Sequence, residues 1–175
     1  MKEFAHDPLE EHLTLRPAVT ADAAMVFAWR NLPSVVEAAS QKGVIAWEEH
    51  HGWFAASLRS DARQIFIIHS GGQPAGQIRF DWEGSGQAQV SIYLHPRFTG
   101  RGLGVKAIQA GCLKIAQATG VVRVLAWVRE DNTPSQSAFR KAGFVRSDPG
   151  EVRPGLLCLE FMQAAAPREL IHHPS

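Results

Sequence analysis

Polar and apolar residues alternate along the middle of the chain in a pattern that predicts an antiparallel sheet. The alternation covers residues 77–82 and again 87–94, and a β-branched and aromatic run over 64–68 comes before them. The pair Gly71-Gly72 separates the first two segments and is typical of a hairpin turn. Because neighbouring side chains of a strand point to opposite faces, this unit has one polar and one apolar face.

Apolar residues recur at helical spacing elsewhere in the chain. Helices are predicted between Thr20 and Pro33, from Trp47 to Leu58, from Val105 to a stop at Gly120, and from Thr133 to a stop at Gly143. In the second helix Trp47, His51, Phe54 and Leu58 follow spacings of 4, 3 and 4 residues. This spacing places the four side chains on one helix face, so His51 is predicted to face the core.

Further strands complete the predicted fold. A short one begins near Leu13, a nearly continuous apolar run covers 121–128, and the last strand covers 156–162. A helix separates the strand at 87–94 from the strand at 121–128, and such a crossover joins parallel strands. The sequence therefore predicts an α/β fold with one mixed, mostly antiparallel sheet and helices on both faces.

The composition limits the classes of protein to which the chain can belong. With 45% hydrophobic and 20% charged residues, the chain can bury a sizeable core, so we expect one domain over 1–175 with flexible tails at 1–11 and 164–175. A net charge of +1 predicts no nucleic-acid partner and no membrane partner. The charged, proline-broken start and the lack of a bilayer-length apolar run indicate a cytoplasmic protein. We expect a monomer or a homodimer.

Glycines at alternate positions form the most distinctive short pattern. Gly100, Gly102 and Gly104 stand between a strand and a helix, where backbone N–H groups can surround an anion at the positive end of the helix. A P-loop would end in Gly-Lys-Ser/Thr, and a dinucleotide-binding loop would need glycine at Val105 or Ala107. Residues 100–105, which we call the phosphate cradle, therefore predict a phosphate site of neither common class.

Two motifs together resemble the GNAT superfamily of acyl-CoA-dependent N-acetyltransferases. The family pattern Gln/Arg-x-x-Gly-x-Gly/Ala is matched by 99–104 except at the first position, Thr99. The pattern Asn-x-x-Ala-x-x-Leu-Tyr-Glu-Lys-x-Gly-Phe is similar to Asn-x-x-Ser-x-x-Ala-Phe-Arg-Lys-Ala-Gly-Phe at 132–144. One helix and one strand separate the motifs, as in the family. The resemblance covers 13–162 and implies the GNAT fold, with a parallel pair of strands that splay apart around a linear ligand.

This resemblance implies that the anion is the pyrophosphate of acetyl-CoA, the cosubstrate. Cradle N–H groups would hold it, main-chain groups of Ile92 and Leu94 would pair with the pantetheine arm, and Asn132 would contact that arm. The implied cofactor-binding residues are Ile92, Leu94, Arg101, Gly102, Leu103, Gly104, Val105, Asn132 and Phe139. No metal is expected, because no cysteine or carboxylate completes a ligand set around the pair His172-His173.

Two groups that the family uses for proton transfer are replaced in this chain. Phe139 stands where the family usually has the tyrosine that protonates the leaving thiolate, and Trp127 stands where some members have a basic glutamate. Phenylalanine has no proton to donate. The alternative donors are water and the hydroxyl groups of Ser135, Ser137 and Tyr93.

A base must remove a proton from the acceptor ammonium before its nitrogen can attack the thioester. Histidine suits this task at neutral pH, because its ordinary pKa is about 6.5. His51 can instead be a hydrogen-bonded structural histidine, and His50 is interpreted as a surface residue. The candidate bases, acting directly or through water, are His51, His95, Asp81 and Glu83. The predicted catalytic set is His51, Asp81 and Tyr93.

The first half of the chain resembles a branch of the family that acetylates nucleotide-linked amino-sugars, as in pseudaminic acid biosynthesis. The likeness is carried by Trp29-Arg30-Asn31, His51-x-x-Phe54 and the segment 76–81. It implies a small-molecule amine acceptor, a nucleotide-sugar, bound by Arg30, Asn31, His51 and Arg79. The two guanidinium groups suit a diphosphate.

Three other interpretations stay open from the residues alone. Arg30 can be a helix-end cation and Arg79 a solvated strand residue. The acceptor can be a protein N-terminus or a ribosomal protein, which predicts an acidic groove. The protein can also be a non-catalytic acyl-CoA sensor, because Phe139 and Trp127 replace catalytic groups.

Overall fold

One mixed sheet runs through the residues that the computed structural model describes, 12–40, 43–82 and 86–162. Its strands are β1 (Leu13–Pro17), β2 (Arg63–Ser70), β3 (Gln73–Trp82), β4 (Gln87–Leu94), β5 (Arg123–Arg129), β6 (Val145–Ser147) and β7 (Leu156–Met162). They lie in the order β1-β2-β3-β4-β5-β7-β6. The helices are α1 (Ala23–Arg30), α2 (Pro33–Ala38), α3 (Trp47–Leu58), α4 (Leu103–Thr119) and α5 (Thr133–Lys141).

β4 and β5 run parallel and stay paired over a short distance. Their register joins Gln87–Gln89 to Arg123–Leu125, although β4 continues to Leu94 and β5 to Arg129. The other neighbouring strands among the described residues are antiparallel. The mixed sheet and the splayed parallel pair are therefore confirmed, and the sheet opens between the carboxyl ends of β4 and β5.

Helices cover both faces of this sheet. α4 and α5 pack on one face around a core that includes Phe80 and Ile108. α1 and α3 pack on the other face, where Val26 and Phe54 belong to a second buried cluster. Gly111 brings α4 close to the sheet, because a Cβ at this position would lie 2.9 Å from Cζ of Phe80.

Two short segments differ from the sequence prediction. The loop predicted after Asn31 contains α2, and Pro33 begins this helix instead of ending the previous one. Proline suits the first helical turn, because its missing N–H would have no partner there. The residues after α5 form β6, an edge strand of 3 residues that is too short for alternation to reveal.

Some sequence predictions fall outside what the structure describes. The predicted tails at 1–11 and 164–175 and the candidate base Glu83 lie outside the described residues. Within the described part of the chain, no helix has the length and apolar character needed to cross a membrane.

α3 buries a different face from the one that the sequence spacing predicted. His50, Phe54 and Ser57 are buried, whereas His51 is exposed and Trp47 is 39% exposed. The spacing from His50 to Phe54 and Ser57 fits a helical stripe as well as the spacing from Trp47 does. The prediction that His51 faces the core and His50 faces solvent was therefore wrong.

Candidate active site

A cavity of about 700 Å³ lies where β4 and β5 diverge. Its wall includes Gly102 and Gly104 of the phosphate cradle and residues 89–94 of β4. Side chains from α1, α3 and β3 line the same cavity, among them Arg30 and Trp53. We call the cradle, β4 and α5 side of this cavity the donor part, and the α1, α3 and β3 side the acceptor part.

The phosphate cradle has the backbone geometry that an anion site requires. Gly100 and Gly102 both have a φ of +75°, in the left-handed region that favours glycine. Gly102 is the N-cap of α4, so the N–H groups of Leu103, Gly104 and Val105 have no partners inside the helix. A Cβ at Gly100 or Gly102 would meet no atom within 4 Å. These residues therefore fit the pyrophosphate of acetyl-CoA at the positive end of α4.

The side chain of Asn132 connects two walls of the cavity. Its Oδ1 accepts a hydrogen bond from the N–H of Ser135 at 3.1 Å, which caps α5. Its Nδ2 donates to the carbonyl oxygen of Ala38 at 3.1 Å, at the end of α2. Asn132 thus links the start of α5 to the end of α2. Its contact with the pantetheine arm stays a prediction.

Phe139 presents a hydrocarbon surface to the donor part. The residue is 3% exposed, and its ring meets that of Phe144 edge to face, with centroids 5.0 Å apart. Both rings belong to the core on the α4 side of the sheet. The phenyl group at this position therefore packs as a core residue while it lines the cavity.

Trp53 and Arg79 line the acceptor part, and a second arginine, Arg63, lies against the same indole ring. The guanidinium carbons of Arg63 and Arg79 lie 5.4 and 5.3 Å from the ring centroid of Trp53. Nε of Arg79 donates to Oδ2 of Asp81 at 2.8 Å, and Nε of Arg63 donates to Oδ1 of the same carboxylate. Burial lowers the pKa of Arg79 and Asp81 opposes this effect. Two cations share one carboxylate, so this cluster keeps a formal charge of +1.

Tyr93 belongs to β4, but its hydroxyl group lies against α1 and β3, in the acceptor part. Its oxygen lies 3.3 Å from the carbonyl oxygen of Val26 and 3.4 Å from Oε1 of Gln77. Burial raises the pKa of Tyr93 well above its usual value, against the opposing effects of Arg30 and Arg79. At neutral pH the hydroxyl therefore keeps its proton, so Tyr93 does not act as a base there.

The cavity brings most of the predicted site residues together. The predicted residues that line it are Arg30, Arg79, Ile92, Tyr93, Leu94, Gly102, Gly104, Val105, Asn132 and Phe139. Arg101 and Leu103 belong to the adjoining cradle, where their predicted contribution is the backbone N–H. Their individual roles stay predictions.

Three predicted residues are not brought into the cavity. His51 is exposed, and both carboxylate oxygens of Asp81 are engaged by arginines. Both polar atoms of the Asn31 amide bond to the backbone of Ile45 at 2.9 Å. Asn31 therefore holds the segment before α3 in place, and Ile45 lines the cavity instead.

Sequence reasoning missed two polar residues of the acceptor part. His50 is 2% exposed and Gln77 is 4% exposed, and both line the cavity. Gln77 could have been found, because it shares a strand face with Arg79. In the described ranges, no group of three or more His, Cys, Asp or Glu side chains could hold a metal ion.

Comparison with known protein families matches residues 12–145 to the acetyltransferase (GNAT) domain, which is more than half of the chain. The chain belongs to the GNAT family. This membership confirms the predicted GNAT acetyltransferase family and its fold. The family match does not distinguish between branches of the family, so the nucleotide-amino-sugar branch stays a prediction.

One sequence relative of this chain is a longer acetyltransferase. Mycothiol acetyltransferase of Saccharomonospora viridis is 30% identical over 129 residues, which make up 73% of this chain and 41% of that protein. The chain thus spans less than half the length of this curated relative.

Two solved acetyltransferase structures share the fold. An aminoglycoside acetyltransferase in complex with coenzyme A has a TM-score of 0.75 and 19% identity, over 86% of this chain and 95% of that chain. A ribosomal L7/L12 α-N-protein acetyltransferase in complex with coenzyme A has a TM-score of 0.74 and 17% identity, over 89% of this chain and 97% of that chain. At these identities the likeness establishes the fold alone.

Proposed function

We propose that this GNAT protein transfers the acetyl group of acetyl-CoA to the primary amine of a nucleotide-linked amino-sugar. The main observation that supports this class of acceptor is the positive charge of the residues in the cavity wall. Arg30 and Arg79 line the acceptor part, and Lys141 adds positive charge elsewhere in the wall, whereas the charge of Arg129 is paired with Asp131. Among the described lining residues one, Glu49, is acidic. A diphosphate is attracted by such a wall, whereas a polycationic amine is repelled.

The aromatic surface of the acceptor part supports a ligand that contains rings. Trp53 is half-buried and lines the cavity, and Arg79 next to it combines a charge with a planar donor group. Guanidinium groups bind phosphate oxygens in pairs, and an indole ring can stack on a base or a sugar. A nucleotide-sugar offers both kinds of partner.

The residues of the chain supply binding and proton transfer to a reaction whose thioester comes from acetyl-CoA. The cradle would hold the pyrophosphate, and main-chain groups of β4 would orient the arm along the opening beside β5. Tyr93 keeps its proton at neutral pH and would relay a proton from the acceptor nitrogen to the leaving thiolate. Phe139 has no proton to give, so it would shape the site around the thioester.

A panel of amines tests the acceptor class through the release of free thiol from acetyl-CoA. The panel contains UDP-glucosamine, glucosamine, kanamycin, spermidine and a peptide with a free N-terminus. We expect kcat/KM for UDP-glucosamine to exceed that for glucosamine by at least tenfold and to fall as salt screens the arginines. A higher kcat/KM for kanamycin or spermidine would overturn the acceptor class.

The same panel separates the other interpretations. A peptide as the best acceptor would replace the amino-sugar by a protein N-terminus. Acetyl-CoA binding without turnover of any amine would support a sensor and contradict the proposed transfer.

A further inference from the structure

One turn of α1 holds two titratable side chains of the cavity. Nε2 of His50 lies 3.0 Å from the carbonyl oxygen of Ala23, and the hydroxyl oxygen of Tyr93 lies 3.3 Å from that of Val26. These carbonyl groups are three residues apart in the helix, and carbonyl oxygens only accept hydrogen bonds. Nε2 of His50 must therefore carry a proton.

The fixed Nε2–H decides what the rest of the imidazole can do. A neutral imidazole that is protonated at Nε2 has a lone pair at Nδ1. Among the described residues the structure gives Nδ1 no hydrogen-bond partner, and His50 lines the cavity. The ring thus brings one nitrogen with proton-accepting capacity to the acceptor part.

The surroundings of His50 keep it neutral at physiological pH. Its ring centroid lies 5.4 Å from that of Phe27, 5.6 Å from that of Phe54 and 5.8 Å from that of Trp53. Burial among these rings lowers the pKa of His50, His51 lowers it further, and the bond to Ala23 opposes the shift. The ionisable group that acts on it is His51 of α3, and Glu49 of α3, Arg30 of α1, Arg79 of β3 and Tyr93 of β4 line the same cavity.

We propose that His50 is the general base of the acetyl transfer, an inference that rests on the proposed function. Its Nδ1 takes one proton from the acceptor ammonium, directly or through one water, and later releases it to solvent. The freed nitrogen lone pair forms the C–N bond while the C–S bond breaks. The second proton on that nitrogen ends on the thiolate sulfur, with the Tyr93 hydroxyl as the relay, so charge and protons balance.

Other candidate bases lack one part of this arrangement. Nδ1 of His95 accepts a hydrogen bond from the N–H of Arg97 at 3.3 Å, and His95 does not line the cavity. His51 is exposed, and Asp81 is engaged by Arg63 and Arg79. His50 alone among these described candidates combines a fixed tautomer with a place in the cavity wall.

The test replaces His50 by glutamine, whose amide nitrogen can still donate to the carbonyl of Ala23 but has no basic nitrogen. We expect kcat/KM at pH 7 to fall roughly a hundredfold, as is typical for loss of a general base. Acetyl-CoA affinity measured by calorimetry should stay within about twofold, because the cradle is untouched. In the unaltered protein kcat/KM should rise with pH through the lowered pKa of His50, below about 6.5, and His50→Gln should remove that limb.

Two histidine controls make this result specific. His69→Gln changes a half-buried histidine of β2 that does not line the cavity, and it should alter neither kcat/KM nor the pH profile. A loss in His51→Gln without a loss in His50→Gln would overturn the proposal. The assay uses whichever panel amine the unaltered protein acetylates fastest, so a wrong acceptor class cannot hide the effect.

Nuclear magnetic resonance gives a readout that needs no turnover. Long-range ¹H–¹⁵N spectra of the unaltered protein should show His50 neutral at pH 7, with the proton on Nε2. A charged His50 at this pH, or a proton on Nδ1, would overturn the proposal even if the amine panel shows activity.

Discussion

The donor part of the cavity is built from backbone, whereas the acceptor part is built from side chains. The cradle depends on glycines such as Gly102, whose φ of +75° aims consecutive N–H groups at one place. The acceptor part depends on Arg30, His50, Trp53 and Arg79, which come from three separate elements. Backbone recognition requires a local sequence pattern, whereas side-chain recognition requires that distant elements pack correctly.

This difference explains why the donor was easier to predict than the acceptor. The family to which the cradle points is confirmed by the match over 12–145. The acceptor class still rests on the charge and ring surface of the wall. Variants in each part should therefore change different kinetic quantities.

Among variants that affect substrate binding, the largest effect is expected in the donor part, from Gly104→Val. A Cβ at Gly104 would lie 3.7 Å from Cδ1 of Leu94, which is an ordinary van der Waals contact. The fold should therefore accept a side chain at this position. The valine branches would occupy cavity space, and we expect coenzyme A affinity to fall roughly thirtyfold, on the scale of about 2 kcal/mol for overpacking. Calorimetry measures the change, and unchanged affinity would contradict the cradle assignment.

Two variants of the same helix serve as controls for that result. Gln109→Val puts the same side chain on the exposed face of α4 and should leave coenzyme A affinity unchanged. Gly111→Val would press on Phe80 and should lower the free energy of unfolding by roughly 1–3 kcal/mol, since the buried ring has little room to move.

A smaller effect is expected in the acceptor part, from Arg30→Ala. Loss of one charge-assisted hydrogen bond to a phosphate should raise the Michaelis constant of UDP-glucosamine about tenfold and leave that of acetyl-CoA unchanged. Steady-state kinetics with each substrate varied in turn measures both constants. Arg59→Ala, at an exposed position after α3, is the matched control. A rise in the acetyl-CoA constant instead would place Arg30 in the donor part.

The smallest effect is expected from Phe139→Tyr, in the donor part. If Tyr93 already protonates the thiolate, a new hydroxyl group at position 139 should change kcat by less than about threefold. Tyr93→Phe should instead lower kcat about tenfold while changing thermal stability little, since its hydrogen bonds are as long as 3.3 and 3.4 Å. Activity that arises only in Phe139→Tyr would favour the sensor interpretation.

Local patterns predicted most of the elements that surround this site. α3 runs from Trp47 to Leu58 as its apolar spacing predicted, and the β2–β3 hairpin turns at Gly71-Gly72. The wrong predictions occur where a local pattern is compatible with two different buried faces. α3 has two possible apolar stripes, one through His50 and one through His51, and packing against α1 selected the stripe of His50.

Asn31 and Asp81 show a second limit of sequence reasoning. Asn31 belongs to the predicted substrate-binding set, and Asp81 belongs to the predicted catalytic set. In the fold Asn31 bonds to Ile45 and Asp81 bonds to Arg63, partners that are 14 and 18 residues away. A side chain that is engaged by a distant partner cannot be told from a free one until the chain has folded.

The sequence by itself determined the sheet type, the phosphate cradle and the family, because alternation, glycine spacing and helix capping act between residues that are close along the chain. Tertiary structure decided that His50 faces the cavity and that Asp81 is shared by two arginines. Such outcomes depend on which helix face meets the sheet and which charges meet across strands. The free energy of these contacts is set by partners far away in the chain, so spacing alone could not reveal them.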